Sequence, residues 1–145
     1  MDGPVTGSPD GPAPHRIVNP PALPDPAGYS HAVVAAPGHA VYVAGQTAHR
    51  RDGSIPDDIV EQFDGAAANV VTALVEAGAR PQHVVSMSIF TTDLAGYLAA
   101  SEPIGAAYRR HFGKHFGATA LIEVKGLVDG AKIELVCVAV IPETD

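Results

Sequence analysis

Glu134 is a carboxylate inside an apolar run, 133–141, reading IELVCVAVI. Ile133, Leu135, Cys137, Ala139 and Ile141 alternate onto one face of a strand. Val136, Val138 and Val140 share the other face with Glu134. Apolar residues on both faces predict a strand covered on both sides. A carboxylate in that row sits at a strand end near water, is paired, or lies in a site that sets its protonation. The last case would make Glu134 a functional residue. The plainer alternative is a carboxylate at the exposed end of the strand.

Other chemistry-bearing residues read more weakly. His111 and His115 have the i, i+4 spacing of a metal-ligand pair. Gly113 falls between them where a helix should end, and no third ligand is evident, so they read as surface histidines and no metal is expected. Cys137 lies on the apolar strand face without a nearby base and reads as a small buried hydrophobe. No GxGxxG, P-loop or GxSxG stretch occurs, so nothing points to a nucleotide cofactor or a serine nucleophile. The cluster His49-Arg50-Arg51 reads most simply as a solvated loop.

The elements that must position these residues follow from spacing. Residues 1–28 hold eight of the thirteen prolines and four glycines, which predicts an extended, weakly structured arm. A disordered arm over 1–16 and one domain over 17–145 are expected. A strand is expected over 32–36 and another over 40–46, with Pro37-Gly38-His39 as the turn of an N-terminal hairpin. In the second strand Tyr42, Ala44 and Gln46 alternate against Val41, Val43 and Gly45. Asp57 and Asp58 offer an N-cap. Ile59, Phe63, Val70 and Leu74 then recur at helical spacing up to about Gly78. Residues 83–91 read as a strand. Asp93 caps a second helical region to about Phe112, interrupted near Pro103. The stretch 117–141 reads as a closing hairpin.

The order is β-β-α-β-α-β-β, an α+β class. Two helices can cover only one face of such a sheet, yet the last strand is apolar on both. A further copy of the chain is therefore expected over the open face.

Composition excludes several function classes. The net charge is -7 with only nine Lys and Arg among 145 residues, and these form no stripe, so nucleic acid is an unlikely partner. No apolar run approaches the roughly 20 residues needed to cross a membrane. The single cysteine excludes an intrachain disulfide, and the cytoplasm is the expected compartment.

Taken together, Gly28-Tyr29-Ser30-His31-Ala32, Val41-Tyr42-Val43-Ala44-Gly45-Gln46, the helix from Gln62 to Gly78 with Asn69, Thr92-Asp93-Leu94, Tyr108 with Phe112, and Ile133-Glu134-Leu135 resemble the RidA/YjgF family of reactive-intermediate (enamine/imine) deaminases. The resemblance runs from about Val18 to Pro142. It implies a chorismate-mutase-like α+β fold and a homotrimer whose sheets form a central barrel, with three small-molecule clefts between subunits and no cofactor. The family's deaminating members hold the substrate carboxylate with an arginine in a Pro-Ala-Arg-Ser segment. Here that segment is Gly117-Ala118-Thr119-Ala120, so Thr119 takes the arginine position. Ala44 stands where the family has a serine.

The resemblance assigns Glu134 to activating a water, Tyr29 to the cleft mouth and Phe90 to an apolar wall. Thr119, Gln46, Ala44 and Arg50 complete the candidate substrate-binding set. Each has a structural alternative. Tyr29 could anchor the arm, Thr119 could simply be a good strand residue, and Gln46 could satisfy backbone groups at a strand end. Arg50 could replace the missing charge or remain in solvent. The functional expectation is a cofactor-independent, hydrolase- or lyase-like enzyme of specialised metabolism. It would convert a reactive imine or enamine, with simple amino-acid imines disfavoured by Thr119. The alternatives are a non-catalytic ligand-binding module of the same fold and, further off, an endoribonuclease.

Overall fold

The computed structural model of the chain describes residues 13–143. Helix α1, Ile59–Glu76, forms where the apolar spacing predicts it. Asp58 is its N-cap, the carboxylate accepting from the Glu61 amide at 3.0 Å. The face carrying Phe63, Ala66, Ala67, Val70 and Leu74 is buried. Gln62 is buried with it but satisfied. Its amide donates to Pro56 O at 2.7 Å and its carbonyl accepts from Lys132 N at 2.7 Å.

A 3₁₀ turn, Pro81–His83, leads into β4, Val84–Thr91. The second helical region is two helices, α2 at Leu94–Ala99 and α3 at Ser101–Phe112. The break falls at Ala100 and not at Pro103. Pro103 lies in the first turn of α3, where its missing N–H has no intrahelical partner to lose. Asp93 caps α2, its carboxylate accepting from Gly96 N at 2.9 Å.

Four strands form the main sheet in the order β3-β6-β4-β5, with β3 at Gly38–Gln46, β5 at Ala118–Glu123 and β6 at Ile133–Pro142. β6 is central and antiparallel to both β3 and β4, whereas β5 runs parallel to β4 at the edge. Two hairpin expectations are thereby corrected. The stretch 117–141 is no hairpin, because β4 lies between β5 and β6. The segment after the arm, β2 at Ala32–Val34, pairs with β1 at Arg16–Val18 and not with β3. Local turn signals indicate that a chain reverses, but they do not identify its ladder partner.

The arm boundary at residue 16 also moves. Arg16 opens β1 and His15 is buried, its ring contacting Val140 O at 2.9 Å and the Ala36 amide at 2.9 Å. Residues 1–12, most of the expected disordered arm, lie outside the described residues.

α1 and α3 pack on one face of the sheet over Met87, Ile89, Ile133, Leu135, Cys137 and Ala139, all buried. Among the described residues no helix covers the opposite face. There Val136, Val138 and Val140 are half-buried, and Tyr42 is 80% exposed. Among the described residues no helix is long and apolar enough to cross a membrane.

Candidate functional site

Glu134 sits on the uncovered sheet face, half-buried, paired with Phe90 of β4. Its position depends on an irregularity in β3. The β3–β6 register runs regularly to Val43↔Cys137 and then resumes at Gln46↔Leu135, so β3 carries one extra residue. This bulge falls at Ala44-Gly45. A Cβ on Gly45 would lie 2.5 Å from Glu134 Oε2 and 2.8 Å from its Cδ. The carboxylate therefore rests directly over the Gly45 backbone, in space that only glycine leaves open.

The same bulge changes which predicted residues meet. Ala44 stays exposed beside this face. Gln46 does not, because it pairs with Leu135, whose side chain is buried under the helices, and paired residues share a sheet face. The expected Tyr42-Ala44-Gln46 alternation is overturned at its last member. The Gln46 amide donates locally to Ala44 O at 3.2 Å.

Tyr29 and Thr119 come together elsewhere. Both line a cleft of about 560 Å³ between the β4–β5 edge and helices α2 and α3. The Thr119 hydroxyl donates to Gly117 O at 2.9 Å. The Tyr29 ring meets His31 edge to face at 5.1 Å between centroids. A shallower cleft, bordered by Ser30, His31, Ser86 and Ser88, adjoins the same two residues.

Glu134 and Thr119 lie two strands apart and three register positions apart, with Phe90↔Ile122 and Met87↔Thr119 marking the rows. Strand spacing and rise put them roughly 14 Å apart. Thr119 shares the row of buried Met87 and Cys137, and Glu134 the uncovered face. Within one chain the candidate residues thus form two groups: Glu134 with Phe90 and Ala44, and Tyr29 with Thr119.

Arg50 joins neither group. It lies in the loop after β3, where its guanidinium donates to Ser54 Oγ at 3.0 Å. His49 contacts the Thr47 hydroxyl through Nδ1 and Asp129 Oδ2 at 2.9 Å through Nε2. The Asn69 amide holds this loop by donating to Thr47 O at 2.8 Å and His49 O at 3.1 Å. This gives the helix asparagine a structural task.

The reading of His115 as a surface residue is corrected, whereas His111 is half-buried. His115 is buried with Nε2 2.8 Å from Val84 O, and burial holds its pKa below the ordinary value. His111 contacts Asp64 Oδ1 at 2.9 Å. Each ring already has its own partner. Cys137 is buried as its strand face predicts, and burial pushes its thiol up to about 12, which leaves it protonated.

Two residues of these surroundings escaped the sequence reading. Gly45 was placed in strand alternation, and a lone glycine inside a strand is the available signal for a bulge. Arg109 lines the Tyr29–Thr119 cleft from α3. Ser101 and Gly105, at i-8 and i-4, line the cleft too, a helical stripe that could have been read from the spacing.

Comparison with known proteins agrees with this fold. A family model described as Endoribonuclease L-PSP matches residues 21–141. The chain is 30% identical over 114 residues to protein DfrA of Myxococcus xanthus, covering 77% of this chain and 84% of that one. It is 27% identical to a 2-iminobutanoate/2-iminopropanoate deaminase of Capra hircus, covering 77% of this chain and 79% of the relative. The structure of YyfB, a Rid-family protein of Yersinia pestis, superposes with a TM-score of 0.73 at 30% identity, covering 88% of this chain and 98% of that one. The ordered elements, the central position of β6 and the extent of these matches lead to one conclusion: the chain belongs to the RidA/YjgF family, the family of the L-PSP model.

Proposed function

We propose that the protein converts a reactive imine or enamine in clefts built between protomers, with Glu134 as the general acid/base. Family membership supports RidA-like imine/enamine deaminase activity at the general level. The observation that carries the finer reading is the Glu134 carboxylate held over Gly45 beside Phe90, on a sheet face no helix covers. A carboxylate placed there by a bulge has a specified position and an open side from which a ligand can approach. The separation of Glu134 from Tyr29 and Thr119 supports a site that draws one group from each of two protomers. Apolar Val136, Val138 and Val140 beside exposed Tyr42 support self-association over that face, and a homotrimer is the assembly proposed.

In this reading Glu134 takes a proton from water as its oxygen bonds to the imine carbon. The proton is returned to nitrogen, which gives a carbinolamine; Glu134 then takes the proton of the new hydroxyl and passes it to the amino nitrogen, so that the C–N bond breaks, ammonia leaves and the carbonyl forms. Tyr29 and Thr119 orient the substrate. Thr119 offers a hydroxyl where the family arginine offers a charge, so small amino-acid imines bind weakly. The cytoplasm remains the proposed compartment.

The test generates 2-iminobutyrate and bulkier imines in situ and follows keto-acid release with the wild type and Glu134→Gln. Turnover above buffer that is lost in Glu134→Gln, with ligand affinity kept, supports the enzyme. Release no faster than buffer for every imine refutes it. The non-catalytic binding module is the reading left in that case.

A further inference from the structure

α3 carries two adjacent arginines with different surroundings. Arg110 donates to Asp64 Oδ1 at 2.9 Å. Arg109 makes no ion pair with any described residue and lines the cleft that holds Tyr29 and Thr119. Gly105, one turn earlier, gives it room: a Cβ there would lie 3.3 Å from Arg109 Nη1. The guanidinium therefore lies back along α3 over the glycine.

The interior of the cleft is apolar and aromatic, with Phe63, Ile89, Phe116 and Leu121 among its walls. Tyr108 stacks on Phe116 at 5.0 Å between centroids, and its hydroxyl is already donated to His115 O at 2.7 Å. Tyr97 stands edge-on to Phe63 at 6.2 Å. Its phenol is pushed up to about 12 by burial, so it is a neutral hydroxyl. No acidic side chain lines the cleft. At about 560 Å³ it has room for a ring-sized molecule. An apolar chamber with one guanidinium and a few hydroxyls selects an apolar body that carries a single anionic group.

We propose that this cleft binds a small carboxylate on an apolar, ring-sized body, with Arg109 supplying the charge that Thr119 does not. The ring lies against Tyr97, Phe116 and Leu121, and the carboxylate meets the Arg109 fork. This names a ligand class for the proposed function and rests on that reading only in that Tyr29 and Thr119 border the same cleft.

The probes are 3-phenylpropanoate and its uncharged analogue 3-phenylpropanamide, titrated calorimetrically into the intact protein. The wild type should prefer the acid by about tenfold, the scale of a charge-assisted pair. Arg109→Gln should abolish that preference while leaving amide affinity unchanged. Arg109→Lys, with charge but no fork, should fall between them. Arg109 is exposed, so these variants should fold, and far-ultraviolet circular dichroism checks that they do. The proposal is overturned if wild type binds acid and amide alike, if neither binds at millimolar concentration, or if Arg109→Gln keeps the preference. Imine hydrolysis is followed in the same preparations. Hydrolysis dependent on Glu134 without acid binding removes this inference alone, and acid binding without any hydrolysis removes the catalytic reading alone.

Discussion

Gly45→Ala isolates the link between the β3 bulge and the proposed catalytic carboxylate. Gly45 has no positive φ, so its backbone accepts alanine without strain. The three atoms nearest the added Cβ all belong to Glu134: Oε2 at 2.5 Å, Cδ at 2.8 Å and Cγ at 3.2 Å. Ordinary van der Waals contact begins near 3.4 Å, so the carboxylate must retreat by roughly 1 Å. It can do so by rotating χ2 and χ3, at about 1 kcal/mol if it leaves its rotamer well. The melting temperature should therefore fall by only about 2–5 °C. A displacement of that size at a general base lowers turnover by about 100-fold. The measurements are thermal unfolding and keto-acid release from imines generated in situ, with Glu134→Gln alongside. If Gly45→Ala retains wild-type turnover while Glu134→Gln loses it, the carboxylate does not act from the position over Gly45. If Gly45→Ala fails to fold, the flexible-end argument is wrong.

Thr119→Arg should raise affinity for 2-iminobutyrate or its keto-acid product by about tenfold, since a guanidinium at this position faces the Tyr29 cleft. Unchanged binding would mean that more of the cleft has diverged than this one charge. Val138 pairs with Tyr42 at the middle of the uncovered sheet face. Light scattering should find the wild type larger than a monomer and Val138→Lys dissociated, because an apolar contact worth about 2 kcal/mol is replaced by a charge with no partner. A wild-type monomer at micromolar concentration refutes the covered-face argument. His83 is 5% exposed, and burial, reinforced by Arg80, His15 and His115, depresses its pKa from 6.5 to about 4. Its Nδ1 accepts the Arg80 amide at 3.2 Å, which needs the ring unprotonated. The unfolded chain binds this proton more readily than the fold. Stability from this group is therefore complete above pH 6.5 and is lost as pH falls toward 4. Denaturant unfolding between pH 7 and 4 should show a smaller loss in His83→Gln, and an equal loss in both would refute it.

Much of the fold was legible because it rests on local rules. α1 follows from its apolar spacing and the Asp58 cap, and α2 from Asp93. The two-sided character of 133–141 identified the strand that is in fact central, with α1 below it and the uncovered face above. The pairing was not legible. β5 and β6 are neighbours in sequence with a turn between them, yet β4 separates them in the sheet. β1 took β2 from the expected N-terminal hairpin. Ladder partners are chosen by which faces must be buried together, and this is a property of the whole chain.

Glu134 was visible from sequence alone as a carboxylate in an apolar row, and Thr119 through its place in the family segment. What Glu134 rests on was not, because period-2 reading carries no information about an extra residue in the neighbouring strand. One bulged residue seats the carboxylate over Gly45 and turns Gln46 to the buried face. Tyr108 and Phe112 were legible only as part of the family resemblance, and the side of the cleft to which Arg109 belongs depends on how α3 docks on the sheet. Sequence by itself determined element types, the chemistry of the residues and the mismatch of one carboxylate in an apolar strand, because these depend on side-chain character and short-range period. Only the tertiary structure decided which of those residues share a face, because strand order, bulge register and helix docking follow from burying the core as a whole.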